Sequence, residues 1–313
     1  GWHLMRDGGL PDAPKQVQIV LSDLCNQNCS FCAYRMDGYS SNELFVGKSD
    51  VAKYGTNNPV RMMPVPRAFE LLDECARLGV EALQFTGGGE PTVHSKHLDI
   101  FEKALELGFK CSLVSNGLKW APSLYETILP RFAWVRVSLD AGTPETYARI
   151  RQTAPDNFVR VLNQVKWLAQ SIKRDVSGCV LGVGYVLTPE NWQEIPRAAY
   201  LIRETGASYV RLSAMFNPDD AKPYEDIYPK ILKLVRDVKA EYDSTTFTVH
   251  ELFTDRMQDL FDGAPDYKRC AYQYYTAYIG GDMQAYRCCV LAYNQRGKIA
   301  GGDLTTQPYD DFW

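Results

Sequence analysis

Between about residue 16 and residue 242 six short apolar runs alternate with longer amphipathic stretches. That rhythm restricts the chain to few folds. The short runs cover 16–22, 81–86, 109–115, 134–139, 179–187 and 208–213, and are rich in Val, Leu, Phe and Tyr, as buried strands are. The longer stretches, 66–78, 96–107, 157–172, 190–204 and 223–242, carry apolar residues at helical spacing. The first of them has Ala68, Phe69, Leu71, Leu72, Cys75 and Leu78. Gly79, Gly108 and Gly206 stand at the ends of three, where a left-handed cap favours a residue without Cβ. Repeated strand–helix units predict parallel strands joined by crossovers, in an open sheet or part of a barrel. Function is then expected in the loops beyond the strands' C-terminal ends.

Two stretches break the rhythm. Residues 35–61 hold Gly38, Gly47, Gly55 and Pro59 among many polar residues, a connection longer than packing requires and a candidate lid or substrate loop. After residue 242 the alternation shortens and Tyr becomes frequent, with turn signals at Gly280-Gly281, Asn294, Gly297 and Gly301-Gly302. This reads as a β-rich appendage over 243–313, after an extension at 1–15 and a main domain at 16–242. A net charge of −4, from 34 basic and 38 acidic residues, argues against a basic nucleic-acid footprint spread over the whole chain. No apolar stretch approaches the roughly 20 residues a membrane span needs, and 1–15 resembles no export signal. A cytoplasmic location is expected.

Nine cysteines are the unusual feature, and an odd count in a chain without an export signal does not suggest a disulfide framework. Cys25, Cys29 and Cys32 follow the first expected strand as Cys-x3-Cys-x2-Cys. Structural zinc and 4Fe–4S clusters both ordinarily take four protein ligands, so three thiolates point to a cluster with one iron left open. Zinc with a remote fourth ligand, or buried free thiols, are the competing readings. Cys75, Cys111 and Cys179 fall in helix or strand patterns and read as core residues.

With Phe31 at the aromatic place of Cys-x3-Cys-x-aromatic-Cys, the motif resembles the signature of the radical S-adenosylmethionine (radical SAM) superfamily. Further matches follow in order at strand ends. Phe85-Thr-Gly87-Gly88-Gly89-Glu90-Pro91 resembles the superfamily's glycine-rich motif, which implies that Glu90 and the glycine backbone hold the SAM amino group. Val135-Arg-Val-Ser138-Leu-Asp140, with Arg151 beyond it, resembles the superfamily's Ser-x-Asp and arginine pattern, which implies that Ser138, Arg151 and Asp140 contact the cofactor's ribose and carboxylate. Thr143-Pro144-x-Thr reads as a helix start. Weaker matches put Asn116 in a polar turn facing the site and Leu187 against adenine, although a plain core leucine reads equally well; Asn191 reads as a helix cap. The resemblance implies a partial (β/α)6 TIM-like barrel and a 4Fe–4S cluster whose open iron is chelated by SAM. Reductive cleavage then yields methionine and a 5′-deoxyadenosyl radical that removes a hydrogen atom from substrate.

In the tail, Cys270, Cys288 and Cys289 surround a hairpin pattern at 280–286. This is similar to the auxiliary-cluster modules called SPASM and twitch, and implies a small C-terminal β-rich auxiliary-cluster domain with a second iron–sulfur cluster. The match is partial, since those modules have further cysteines downstream and this sequence ends at Trp313. Cys289, a non-cysteine group or an iron open to substrate would complete the set. The expected substrate is a peptide or small polar metabolite, and a flavodoxin or ferredoxin is the expected electron donor. A nucleotide or nucleic-acid base is the second substrate class, for which Lys48, Lys53, Arg61 and Arg67 are candidate phosphate contacts. A non-catalytic iron–sulfur carrier would explain the cysteines but not the glycine motif. His94-x2-His97 reads as structural.

Overall fold

The computed structural model describes residues 13–35, 62–216, 221–262, 270–289, 292, 300–305 and 307–311 of the chain. The expected lid at 35–61, with Lys48, Lys53 and Arg61, lies almost wholly outside them, as does the extension over residues 1–12. Compactness divides the chain into unit 1, residues 1–26, 34–115 and 269–313, and unit 2, residues 27–33 and 116–268.

In unit 1, β1 (Gln16–Val20) is flanked by parallel neighbours: β2 (Ala82–Thr86) on one side, β8 (Thr276–Ile279) on the other. β3 (Lys110–Ser115) continues in parallel beyond β2. On the far side β9 (Gln284–Tyr286) and β10 (Ala300–Asp303) add antiparallel strands. The hairpin expected at 280–286 is the β8–β9 turn, closed by the Gly280 amide donating to the Gln284 carbonyl at 2.9 Å. Helices α1 (Val65–Arg77) and α2 (His97–Glu106) supply the apolar stripes that the periodicity announced. Phe85 on β2 meets Phe101 on α2 with ring centroids 4.6 Å apart.

Gly79 and Gly108 sit at φ +76° and +83° just past α1 and α2. The Val80 amide donates to Cys75 and the Gly79 amide to Ala76, the paired bonds that satisfy the last carbonyls of a helix. Leu107–Phe109 repeats this arrangement.

Unit 2 is a parallel sheet of β4 (Trp134–Ser138), β5 (Val180–Leu187), β6 (Tyr209–Ala214) and β7 (Thr248–Glu251) in that order. Its helices are α3 (Pro144–Arg151), α4 (Asp156–Arg174), α5 (Ile195–Glu204), α6 (Tyr228–Tyr242) and α7 (Phe253–Asp262). Thr143 caps α3 by accepting from the Thr146 amide at 3.3 Å, with Pro144 in the first turn, as the sequence suggests. Strand alternation sends Val135 and Val137 to the helix side, fully buried, and Arg136 and Ser138 to the opposite face.

All six expected strands form within a residue or two of their expected ends, so the parallel α/β class stands. Residues beyond 243 divide between the units: β7 extends the unit 2 sheet, and β8 to β10 belong to unit 1. Cys75, Cys111 and Cys179 are buried, and burial pushes the Cys179 thiol up to about 12. No helix among the described residues is long and apolar enough to cross a membrane.

Candidate metal and cofactor centre

In unit 1 the chain leaves β1 through Leu21–Leu24 to the half-buried Cys25. The glycine motif lies against this exit. The Gly89 amide donates to the Ser22 carbonyl at 3.1 Å and the Glu90 amide to the Leu24 carbonyl at 2.8 Å. A Cβ on Gly89 would collide with the Asp23 and Leu24 backbone, and one on Gly87 with the Gly89 carbonyl. Two of the three glycines are therefore required by backbone meeting backbone.

Glu90 is buried, and its Oε1 accepts from the Thr92 amide (3.1 Å), Thr92 Oγ1 (2.7 Å) and Ser115 Oγ at the end of β3 (2.7 Å). The carboxylate is thereby oriented at the C-terminal end of the sheet. Tyr278 on β8 donates to the Gly87 carbonyl at 3.3 Å and lies 3.2 Å from the Tyr34 hydroxyl, a contact no motif announced.

In unit 2, Cys29 and Cys32 share a tight turn, the Cys32 amide donating to the Cys29 carbonyl at 3.2 Å. The loop is fastened to α3: the Ser30 amide donates to Ile150 at 2.9 Å and Asn28 Nδ2 to Gln152 Oε1 at 2.5 Å. At its centre is Arg151, 5% exposed. One guanidinium nitrogen donates to Gln27 Oε1 at 3.1 Å and to Cys29 Sγ at 3.3 Å, and the other donates to Asp140. The guanidinium also lies 5.8 Å from the centre of the Phe31 ring. Burial works against its charge, and Asp140, Cys29 and Tyr147 more than restore it, holding Arg151 protonated.

Asp140 is itself buried, in the left-handed region at φ 61°. Its Oδ1 accepts from the Val186 amide at 2.6 Å, and its carbonyl accepts from Asn191 Nδ2 at 2.8 Å. Burial raises the Asp140 carboxyl, with Arg151 and the Val186 amide opposing. The geometry gives Asp140 a positioning role: it aims Arg151 at the cysteine loop.

Ser138 ends β4, two residues before Asp140. Leu187 is fully buried, and Asn116 Oδ1 accepts from the Leu118 amide at 2.9 Å in a local turn. Asn191 is not the helix cap that the sequence suggested: its side chain makes no capping bond and instead, with the Asp140 carbonyl, the Val186 carbonyl (2.8 Å) and the Thr188 amide (2.7 Å), stitches the β4 and β5 exits together. Gln27, buried between Arg151 and the Tyr147 hydroxyl (2.8 Å), also escaped the sequence reading. Its position between motif cysteines was the available signal.

The tail cysteines are in unit 1. Cys270 precedes the turn Ala271–Tyr274, and Cys288 and Cys289 follow β9, all half-buried. Burial raises the Tyr272 hydroxyl, and both Cys289 and Cys288 are near enough to raise it further. The histidines are structural here: His94 bonds the Met63 carbonyl through Nε2 (2.9 Å) and accepts from the Lys96 amide, and burial holds both rings toward neutrality. Arg67 is committed to Glu74 at 2.6 Å and to the Leu304 carbonyl at 2.9 Å.

Among the described residues no three Cys, His, Asp or Glu side chains are gathered closely enough to hold a metal ion, so the fit to an iron–sulfur centre rests on the chemistry of the donors. The motif's donors are thiols alone, and a buried guanidinium donates a hydrogen bond to the Cys29 sulfur, as outer groups do to metal-ligating sulfurs. Arg151 Nε is buried without a hydrogen-bond partner among the described residues, a polar atom consistent with a further anionic neighbour.

A family model described as Radical SAM superfamily matches residues 19–202. The chain is 28% identical over 153 residues to a probable GTP 3',8-cyclase of Thermococcus kodakarensis, a match covering 48% of this chain and 42% of that relative. It therefore spans less than half the length of this curated relative. Among solved structures, Streptococcus suis SuiB bound to precursor peptide SuiA aligns with a TM-score of 0.68 at 16% identity, covering 100% of this chain and 67% of that one. Native anSMEcpe with bound AdoMet aligns at 0.64 and 18% identity, covering 95% and 80%. At such identities these likenesses show the fold.

Proposed function

Since the chain belongs to the radical SAM superfamily, we propose that it is an enzyme that cleaves SAM reductively and removes a hydrogen atom from a peptide or small polar metabolite. Cys25, Cys29 and Cys32 would ligate a 4Fe–4S cluster through three irons, leaving the fourth to SAM. When bound, cluster and SAM supply the one-electron cleavage that releases methionine and a 5′-deoxyadenosyl radical, with a flavodoxin or ferredoxin as electron source.

The chain's own residues bind, orient and exclude water. Glu90, held by Thr92 and Ser115, presents a carboxylate for the SAM amino group, with Gly87–Gly89 as its backbone floor. Ser138, Asn116 and Leu187 belong to the ribose and adenine side. Arg151 is assigned chiefly to the Cys29 sulfur, where a charged donor would raise the potential of a bound cluster, with Asp140 fixing its direction. The observation that carries this reading is the Arg151–Cys29 contact inside the cysteine loop.

Cys270, Cys288 and Cys289 are proposed as the residues that would hold an auxiliary cluster in a SPASM- or twitch-like module, which would supply an electron acceptor for the substrate radical. SuiB bound to its precursor peptide favours the peptide class. The GTP cyclase relative supports nucleotide chemistry as the second reading.

The test is anaerobic reconstitution of the full chain, reduction with dithionite and addition of SAM. A brown protein releasing 5′-deoxyadenosine, with release abolished in Cys29→Ala, is the expected result. A fully loaded, reducible cluster that releases no nucleoside would overturn the catalytic reading in favour of an electron carrier.

A further inference from the structure

The face of the unit 2 sheet that carries Ser138 also carries a charge pattern the cofactor reading does not use. Arg136 on β4 is in register with Gly182 on β5 and Tyr209 on β6, and one row on, Gly184 is in register with Arg211 and His250. The glycines create room. A Cβ at Gly182 would lie inside the Tyr209 ring, which therefore spans β5 at that point, and one at Gly184 would lie 3.6 Å from Arg136 Cδ.

Together these strands line a cavity of about 420 Å³ with Trp134, Arg136, Tyr209, Arg211 and His250 on its wall. The Arg136 guanidinium is 5.5 Å from the centre of the Trp134 ring, and Tyr209 meets His250 edge-on at 5.0 Å. Desolvation and the nearby Arg211 both disfavour the charge on Arg136, which Tyr209 and the more distant Asp140 only partly offset. Among the described residues neither arginine has a carboxylate within ion-pair distance, and Asp140 is engaged by Arg151. Two like charges gathered in a half-buried cavity are unfavourable unless an anion joins them. Guanidinium forks suit the oxygens of a phosphate, and about two positive charges match a phosphate dianion better than a single carboxylate.

We propose that this cavity binds the phosphate group of a substrate, through Arg136 and Arg211, with the surrounding rings packing on the group next to it. The inference rests on the radical SAM reading for its substrate role, though the anion site stands on its own geometry. Arg136 lies two residues before Ser138 on the same strand face, so the anchor is about 7 Å along the strand from the expected cofactor contact.

Inorganic pyrophosphate is the probe, titrated calorimetrically into the full, reconstituted chain. Wild type is expected to bind it at least roughly tenfold more tightly than succinate. Arg211→Gln and the volume-preserving Arg136→Lys are each expected to lose roughly tenfold or more while melting cooperatively. Lys233→Gln, which removes an exposed cation on α6, should bind as wild type does. Absence of pyrophosphate binding by wild type, unchanged binding in Arg211→Gln, or equal affinity for succinate would each overturn the proposal. Release of 5′-deoxyadenosine is measured on the same wild-type preparation. Cleavage without anion binding sinks this inference alone, and anion binding without cleavage upholds the anion site while sinking the radical reading.

Discussion

Arg151 and Arg149 occupy the same helix and make comparable drawings of an ion pair, yet their energetics differ by burial. Arg149 meets Glu190 at 3.0 Å with both side chains about half exposed, a contact worth less than about 1 kcal/mol. Arg151 and Asp140 are almost wholly buried, and removing one partner strands the other's charge, at a cost of about 3–5 kcal/mol. Asp140→Asn is therefore expected to lower the urea midpoint and the iron bound per chain, with Arg149→Gln close to wild type in both. Equal effects from the two substitutions would remove the positioning role given to Asp140. The residue types were readable in the Ser-x-Asp pattern. That Arg151 bends back to Cys29 was not, because the contact joins residues 122 apart in sequence.

Among the elements, the glycine motif shows how a loop is selected by what touches it. Gly89 has no space for a Cβ because the Asp23–Leu24 backbone is already there, whereas Gly178 meets nothing within 4 Å. Gly89→Ala is expected to destabilise the protein by at least about 2 kcal/mol and to reduce iron loading, since it displaces the segment leading into Cys25. Gly178→Ala should fall within about 0.5 kcal/mol of wild type. Denaturant midpoints and iron counts check both, and a neutral Gly89→Ala would refute the close approach. Strands and helices were legible from periodicity, and the caps from Gly79 and Gly108, because these depend on neighbours a few residues away. The reason for Gly89 was not, since it lies in a crossing with a distant strand exit.

At the scale of the whole molecule, the tail matters through β8. This strand pairs parallel with β1 over Gln16–Ile19, so residues 269–313 cover an edge of the unit 1 sheet as well as carrying three cysteines. Removing them is expected to expose the unpaired backbone of β1 and to convert the protein to aggregates on size-exclusion chromatography. A monomeric truncation with an unchanged melting temperature would show that the strand is dispensable. The turn signals near 280 marked the hairpin correctly. Composition alone could not place β7 with one unit and β8 with the other, because a short strand of four residues carries no record of its partner.

Local chemistry was written in the order of residues: strand and helix periods, cap glycines, three thiols within eight positions, a proline at a helix start. Each is set by forces acting over a turn or a strand's width, so the chain declares it without reference to the rest. Which charge aims at which sulfur, which backbone excludes a Cβ, and which two arginines share a cavity depend on strand register across the sheet. Only the folded protein, by bringing distant segments within hydrogen-bonding and Coulombic range, settles them.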